Sequence, residues 1–501
     1  MKLSELLRPI ERVASSTTPL FSSVASADCL ISELHNDSRN ISPGCLFIAY
    51  PGAATDGRLY MQQAVQAGAV AIIYDPIDLP ASLVLPKTIP CIPLPHLSSS
   101  LATLACQFYG HPTQSMSITG VTGTNGKTTI AYQLAQAHQL LGHSSAYIGT
   151  IGQGHVSQLK PLINTTPDAL HLQRLFHDYQ QQSIDHVCME VSSHALSEGR
   201  VEAVDFDHAI FTNLSLDHLD YHHTMQAYAE AKALLFAMPT LQWAIINQDD
   251  PYSVLMASAR SRTCQKLTYG LQDGCDVQAR DCRYNMTGSD FDIHSPWGTR
   301  HVHVKSIGAF NIYNSLVVYS SLLAHGYAID DVVTVMAQLN PSPGRMEIVA
   351  KEPIVLVDYA HTPDALENVL STLVRLKSQH DQPCCLWVIF GCGGDRDKTK
   401  RPVMGRIASQ LADRVVLTSD NPRTEDPALI IDDIARGVLP TANVEIMPDR
   451  REAIHHVLQL AKQDDIILIA GKGHEAYQQI GTQRFDFSDQ DEVRAFFKNA
   501  H

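Results

Sequence analysis

Ile118-Thr119-Gly120-Val121-Thr122-Gly123-Thr124-Asn125-Gly126-Lys127-Thr128-Thr129 decides the fold. A β-branched lead-in gives way to a Gly-rich turn, and a helix-like run from Ile130 to Leu141 follows. Such a loop points successive backbone N–H groups at phosphate oxygens. Lys127 adds positive charge near the β/γ phosphates of a nucleoside triphosphate, and the Thr128 hydroxyl reaches a Mg²⁺. One position departs from the general P-loop pattern, which wants glycine at 121, where Val121 stands. A chance Gly/Thr-rich turn is the bland alternative, and the loop alone names no reaction.

Around this loop the chain reads as α/β throughout. Upstream, Leu46 to Ala49 and Ala69 to Tyr74 are strand-like, with a helix between Met61 and Ala67 that Gly68 can end. A Pro-rich patch and a helix from about Ser98 to Tyr109 lead to Gly110-His111-Pro112, which marks a first boundary. From 113 to 340 strand-like segments (Val187 to Glu190, Ala209 to Thr212, Trp243 to Asn247) alternate with helical stretches, the signature of a parallel sheet covered by helices. Asn340-Pro341-Ser342-Pro343-Gly344 marks a second boundary, beyond which Ile354 to Asp358, Leu386 to Phe390, Val415 to Thr418 and Ile466 to Ala470 predict another parallel sheet. The expectation is three domains: 1–112, 113–340 and 341–501. Ligands of open α/β sheets bind at the carboxyl ends of strands, where the polar and Gly-rich residues fall.

The 501 residues are too many for one core and suit roughly three. A formal net charge of −15 argues against nucleic-acid or anionic-membrane binding through a general basic field. The 11 cysteines are scattered without a C-x-x-C ribbon, so they read as reduced thiols of a cytoplasmic protein. The start has no signal-peptide pattern, and no run nears the roughly 20 apolar residues that cross a bilayer.

Two segments beside the loop carry metal chemistry. Glu190 ends a strand in Met189-Glu190-Val191-Ser192-Ser193-His194, and the next strand runs into Asn213-Leu214-Ser215-Leu216-Asp217-His218-Leu219-Asp220-Tyr221-His222. Either could be a solvated polar loop. Together, on consecutive strands beside a nucleotide loop, they read as Mg²⁺ ligands. Lys232, in Glu230-Ala231-Lys232-Ala233, reads by itself as an ordinary helix lysine.

These motifs, in this order and spacing, resemble the Mur ligases, the ATP-dependent amide-forming ligases of peptidoglycan precursor synthesis. Asp37-Ser38-Arg39, Gly391-Cys392-Gly393-Gly394-Asp395-Arg396-Asp397 and Gly471-Lys472-Gly473-His474-Glu475 extend the resemblance over essentially the whole chain. Within the family it is closest to the branch that adds the third residue of the stem peptide. The absent glycine at 121 looks like a family trait. The resemblance implies a small N-terminal α/β domain for the UDP-substrate, a central P-loop ATPase domain, and a C-terminal Rossmann-like domain for the amino acid. It implies a monomer without a membrane span, serving cell-wall synthesis and through it cell shape and division.

The implied chemistry joins a carboxylate to an amine: ATP phosphorylates the carboxylate, and the amine displaces phosphate through a tetrahedral intermediate. Lys127, Glu190, His218 and Lys232 are the implied catalytic set. Thr128, Glu190, His218 and Lys232, the lysine as a CO₂-derived carbamate, would hold two Mg²⁺. ATP would contact Gly123, Thr124, Asn125, Gly126, Lys127, Thr128 and Thr129, with Asn311 on the adenine side and Arg345, Asp358 and His361 from the third domain. Taken singly, Arg345 also reads as surface charge and Asp358 as a strand-end cap. Ser38 and Arg39 match the uridine-side motif. Thr165, Thr166, Ser192, Glu198 and Arg200 match the positions that hold the pyrophosphate, sugar and peptide. Position 198 departs from the pattern, since the family often has Gln there.

The amino acid is implied by Asp420-Asn421-Pro422-Arg423, a reading that accompanies meso-diaminopimelate in the family, with Arg396, Gly471 and Glu475 completing the pocket. The chemistry agrees: an arginine can grip the distal carboxylate of diaminopimelate by two parallel hydrogen bonds, and would repel the lone distal ammonium of L-lysine. Asn-Pro-Arg also reads as a plain turn. The acceptor would be UDP-N-acetylmuramoyl-L-Ala-D-Glu. Alternatives are an L-lysine-adding relative, a folylpolyglutamate-type ligase, and a non-catalytic nucleotide-binding scaffold.

Overall fold

The segment Ser117–Thr122 is a strand whose residues are buried from Ile118 onward, as a strand covered on both faces must be. In the computed structural model, which describes residues 1–13, 28–52, 55–81, 83–379 and 382–499, this strand lies inside a ten-stranded sheet. It pairs in parallel with His186–Glu190 on one side and His208–Phe211 on the other. Ser145–Gly149 continues the parallel core on the first side, and Trp243–Asn247 and Gln265–Gly270 on the second. The register sets Val121 opposite Glu190 and Thr122 opposite Phe211, so the loop and the segments after Glu190 and Phe211 emerge at one edge. The helix after the loop runs Lys127–Leu140, three residues earlier at its start than the apolar run suggested.

Beyond the parallel core the sheet turns antiparallel. Val277–Asn285, Gly288–Ser295 and Gly298–Val304 form a meander absent from the sequence expectation. Their inward residues Phe291, Ile293, Val302 and Val304 join the core packed around the helix Ala309–Ala324.

The N-terminal unit is a four-stranded parallel sheet in sequential order: Leu34–His35, Leu46–Ala49, Ala71–Tyr74 and Cys91–Pro93. Helix Leu97–Phe108 covers one face, and its apolar cluster reaches Ala169 and Leu170 at the start of the central helix Ala169–Gln181. The C-terminal sheet has six strands, ordered Glu347–Lys351, Ile354–Asp358, Ile466–Ala470, Leu386–Phe390, Arg414–Leu417 and Asn443–Ile446. All pairs but the first are parallel. An apolar seam joins this unit to the central one, since Leu366, Val369 and Leu373 of helix Pro363–Lys377 share a cluster with Ile312 and Leu316. Among the described residues no helix is long and apolar enough to cross a membrane.

One fully buried ion pair fixes the floor of the C-terminal unit. Arg450, at the start of helix Arg450–Leu460, binds Asp489 through Nε at 2.7 Å and Nη2 at 2.8 Å. The same Nη2 donates to the Ala470 carbonyl at the end of the central strand. Removing one partner strands the other charge in the interior. Asp489→Ala is expected to cost about 3–5 kcal/mol, read as a lowered urea midpoint of the C-terminal transition; a change below about 1 kcal/mol would show the pair to be dispensable.

Candidate active site

The loop turns at glycines for a steric reason. Gly123 has φ +148, and a Cβ there would lie 1.8 Å from Thr212 Oγ1. Gly126 has φ +87 at the cap of the helix, and a Cβ there would lie 2.6 Å from Asn314 Oδ1. Val121 is still strand at this point and fully buried in the core. The departure at 121 therefore leaves the phosphate turn intact. Neighbouring segments brace the loop: Thr124 N donates to Asn213 O, and Asn125 N to Asn213 Oδ1. Lys127 Nζ donates to Gly123 O at 2.9 Å and Thr124 O at 2.8 Å, so the charge lies over the cradle. Desolvation lowers its pKa, against the pull of Glu190 and Asp217.

Glu190 is fully buried. Its carboxylate accepts four hydrogen bonds, from Thr128 Oγ1 (3.0 Å), Tyr147 OH (2.5 Å), Thr150 N (2.8 Å) and Thr150 Oγ1 (3.1 Å). Arg345 Nη2 donates to Thr128 Oγ1 at 3.1 Å, its guanidinium stacks 4.3 Å from the Tyr359 ring centre, and its Nε is buried without a partner. Asp358 is buried and accepts from Met346 N and Ala360 N, both at 2.7 Å. It therefore acts as a strand-end clamp on the segments carrying Arg345 and Tyr359, and burial raises its pKa.

Lys232, on helix Met225–Ala233, is buried; Nζ donates to Gly123 O at 2.8 Å and lies over the Tyr228 ring. Burial, then repulsion from Lys127, drives its pKa far below the ordinary lysine value, with Asp217 opposing. Lys232 is a helix lysine, as its sequence suggests, but its burial makes it no ordinary one. His218 has φ +54 and sits 3.4 Å from Asp217. Burial lowers its pKa to about 4, Asp217 pulling the other way. For Asp217 burial would raise the pKa, but His218, His361 and Lys127 outweigh it and the net shift is downward.

These groups line one cavity of about 820 Å³ between the central and C-terminal units. Its wall includes residues 124–129, Glu190, His218, Lys232, Asn311, Arg345, Asp358, His361, Thr165, Thr166, Ser192, Arg200 and Arg396. Asn125 Nδ2 reaches Asp364 Oδ2 of the C-terminal unit at 2.8 Å across this cavity. Thr166 Oγ1 donates to Glu190 O and accepts from Ser192 N. Glu198 is not in the wall: it holds Arg200 through Nε and Nη2 at 2.8 and 2.6 Å, and Arg200 Nη1 donates to Thr166 O. Ser38 and Arg39 also lie apart, on a turn of the N-terminal unit where Arg39 is paired with Asp37 and exposed.

A second cluster forms at the carboxyl ends of the C-terminal strands. Arg423 has φ +51, and its Nη1 donates to Gly394 O at 2.7 Å. Asn421 Nδ2 donates to Glu475 Oε2 at 2.7 Å, and buried Lys472 contacts both residues. A Cβ at Gly471 would meet Asp420 Oδ2 at 2.5 Å. The Pro422 carbonyl packs on Gly394. Arg396 belongs to the wall of the large cavity, whereas Asp420 to Arg423, Gly471 and Glu475 do not. Sequence reasoning missed Tyr147, Thr150 and Asp364, lone polar residues outside any motif, and Lys472, which lies within the 471–475 motif but was not singled out.

Family models match three successive stretches: the Mur ligase family catalytic domain at 30–109, the Mur ligase middle domain at 121–322, and the Mur ligase glutamate ligase domain at 344–473. A Pseudomonas putida protein named UDP-N-acetylmuramoyl-L-alanyl-D-glutamate–2,6-diaminopimelate ligase is 44% identical over 476 residues, 93% of this chain and 94% of the relative. A Listeria monocytogenes protein of the same name is 41% identical and covers 99% of this chain and 98% of its own. A solved structure of a ligase so named aligns with TM-score 0.67 at 37% identity, over 94% of this chain and 95% of that one. An Acinetobacter baumannii MurF structure (TM-score 0.64, 19% identity, 88% and 90% coverage) shares the fold.

Gly126→Ala tests the cradle. The strained φ and the contact with Asn314 are expected to weaken ADP binding at least about tenfold with the circular dichroism spectrum unchanged. Undiminished affinity by calorimetry would show that the loop does not hold phosphate in this form.

Proposed function

This chain belongs to the Mur ligase family, and from that premise we propose that it is the ATP-dependent ligase that joins meso-diaminopimelate to the D-Glu carboxylate of UDP-N-acetylmuramoyl-L-Ala-D-Glu in peptidoglycan precursor synthesis. Residues 1–112 take the uridine end, 113–340 the ATP and the acceptor carboxylate, and 341–501 the amino acid. One observation carries the reading: Arg345 of the C-terminal unit bonds Thr128 of the P-loop, which bonds Glu190. A phosphoryl group placed there meets donors from both units at once.

The loop N–H groups, Lys127 and Arg345 hold the phosphates, Asn311 faces the adenine, and His361 and Asp358 close the C-terminal side. The carboxylate attacks the γ-phosphorus and ADP leaves, giving an acyl phosphate. The amine of diaminopimelate then attacks the acyl carbon, and inorganic phosphate departs from the tetrahedral intermediate. Positioning and charge neutralisation supply most of the rate in such transfers. Thr165, Thr166, Ser192 and Arg200 orient the muramyl peptide, with Glu198 setting the angle of Arg200 and Ser38 and Arg39 anchoring the uridine.

The donor set fits Mg²⁺: the carboxylate of Glu190 and the hydroxyl of Thr128, with His218 in the wall of the same cavity, and an anionic oxygen from Lys232 if the lysine is carbamylated. Mg²⁺ held there, two ions in all, would neutralise the charge on the transferring phosphoryl group. Lys232 suits carbamylation because burial favours its uncharged amine: the nitrogen attacks CO₂, a C–N bond forms, a proton is lost, and the neutral amine becomes an anionic carbamate facing Lys127.

Arg423 selects the amino acid by gripping the distal carboxylate, while Asp420 and Glu475 supply negative charge for the ammonium and Arg396 borders the reacting end. Lys472 already neutralises part of Glu475, which shifts weight to Asp420.

A coupled phosphate assay tests the reaction: ATP alone gives little phosphate, and turnover needs both the UDP-muramyl dipeptide and diaminopimelate. Arg423→Ala is expected to raise the KM for diaminopimelate tenfold or more, about 1.4 kcal/mol of lost ion pairing. Wild-type preference for L-lysine would sink the specificity. With ¹³C-bicarbonate, a carbamate carbon resonance is expected in the wild type and not in Lys232→Ala; its absence from both would remove the modification.

A further inference from the structure

At the end of the central sheet remote from the nucleotide, five histidines meet. His138 lies in the last turns of the P-loop helix, roughly 16 Å along the axis from Lys127. His186 and His208 open the two strands flanking the P-loop strand, His325 caps helix Ala309–Ala324, and His143 lies beside His186. The His138 and His186 rings stack at 3.9 Å; His325 crosses them at 4.9 and 5.5 Å, and His208 approaches His325 at 3.7 Å. One ring nitrogen from each of His138, His186 and His325 lies within 4.8 Å of the other two.

The hydrogen bonds divide each ring into a held nitrogen and a spare one. His325 Nδ1 donates to Ser321 O at 2.7 Å, leaving Nε2 with only the Ser117 hydroxyl at 3.4 Å. Tyr327 OH contacts His138 Nδ1 at 3.0 Å and His186 Nε2 at 3.4 Å. His138 Nε2, His186 Nδ1 and His208 Nδ1 are buried with no partner at all. Three buried ring nitrogens without a partner are costly unless something pairs with them. An outer nitrogen fixed by a carbonyl or hydroxyl is how metal-binding histidines are oriented.

We propose that His138, His186 and His325 form a binding site for an imidazole-preferring transition-metal dication such as Zn²⁺, with His208 or water as fourth ligand. No part of the nucleotide chemistry uses these residues, and the nitrogen-only donor set excludes Mg²⁺. Tetrahedral Zn–N bonds place ligand nitrogens about 3.4 Å apart, so the stacked rings rotate and draw together on binding. Burial lowers the pKa of all three rings, with repulsion from neighbouring histidines adding to it at His138 and His186. Two helix C-termini, those carrying His138 and His325, favour a cation at this spot. His143, half-exposed beside His186, offers the way in. The ion would clamp two helices to the two strands that carry Glu190 and the 213–222 segment.

The test uses chelator-stripped full-length protein in excess Mg²⁺, titrated with Co²⁺ as spectroscopic probe and with Zn²⁺ by equilibrium dialysis. The wild type is expected to show a tetrahedral Co²⁺ ligand-field band without sulfur-to-metal charge transfer, and a higher Tm in Zn²⁺. His186→Gln and His325→Gln are each expected to weaken binding at least about tenfold, and Tyr327→Phe by about tenfold through loss of the orienting hydroxyl. A band carrying thiolate charge transfer, as the separate Glu33, His35 and Cys45 group would give, overturns the assignment. So does binding unchanged in both glutamine variants. Should a variant fail to fold, the wild type decides: no tetrahedral band at stoichiometric Co²⁺ overturns the site.

Discussion

Glu190 is a carboxylate with no access to solvent, and much of the central unit is arranged around keeping it there. A buried charge survives only when paired or hydrogen-bonded. The pairing register puts it across from Val121, at the edge where the P-loop turns. Thr128 from the loop helix and Tyr147 and Thr150 from the neighbouring strand and turn all spend their donors on it. Three separate segments are thereby held at fixed distances. The positive charge that balances it comes from Lys127 and Arg345, which already face the place where phosphates belong. The electrostatics of the reaction are thus built into the resting fold, the condition under which such charges are most effective.

The same constraint reaches the C-terminal unit through few contacts. Arg345 is held by stacking on Tyr359, and both segments hang from the Asp358 carboxylate. Asp364 reaches the P-loop through Asn125 and lies 3.3 Å from Ser215 Oγ. Helix Pro363–Lys377 supplies the apolar seam behind them. A seam carried largely by one helix suits a unit that must admit ATP and then close on it.

The parallel strands were legible because strands buried on both faces read as unbroken apolar runs, and Trp243–Asn247, Ile354–Asp358, Leu386–Phe390 and Ile466–Ala470 fall where those runs lie. The meander at 277–304 was not, because its alternation is interrupted by Arg280, Arg283 and several exposed histidines, and a half-solvated strand leaves a weak signal. At the site, glycines and Gly-Lys-Thr-Thr announce themselves locally. Tyr147 and Thr150 do not, since only the sheet register brings them to Glu190. Asp358 could be read as an ATP contact or a cap from its position alone; its two backbone bonds make it the clamp. Lys232 resisted reading most, because burial, the property that changes its chemistry, is a product of tertiary packing.

The P-loop helix links the two ends of the central unit. Its N-terminus turns its first N–H groups and Lys127 toward the cradle; its last turns carry His138 into the histidine cluster. A helix dipole has opposite signs at its two ends, so an anion at one and a cation at the other stabilise the same element. The strands show the same division: His186–Glu190 begins in the histidine cluster and ends in the buried carboxylate. Tightening the cluster around an ion would therefore act on the register that positions Glu190, through a stiff strand and a stiff helix rather than through solvent.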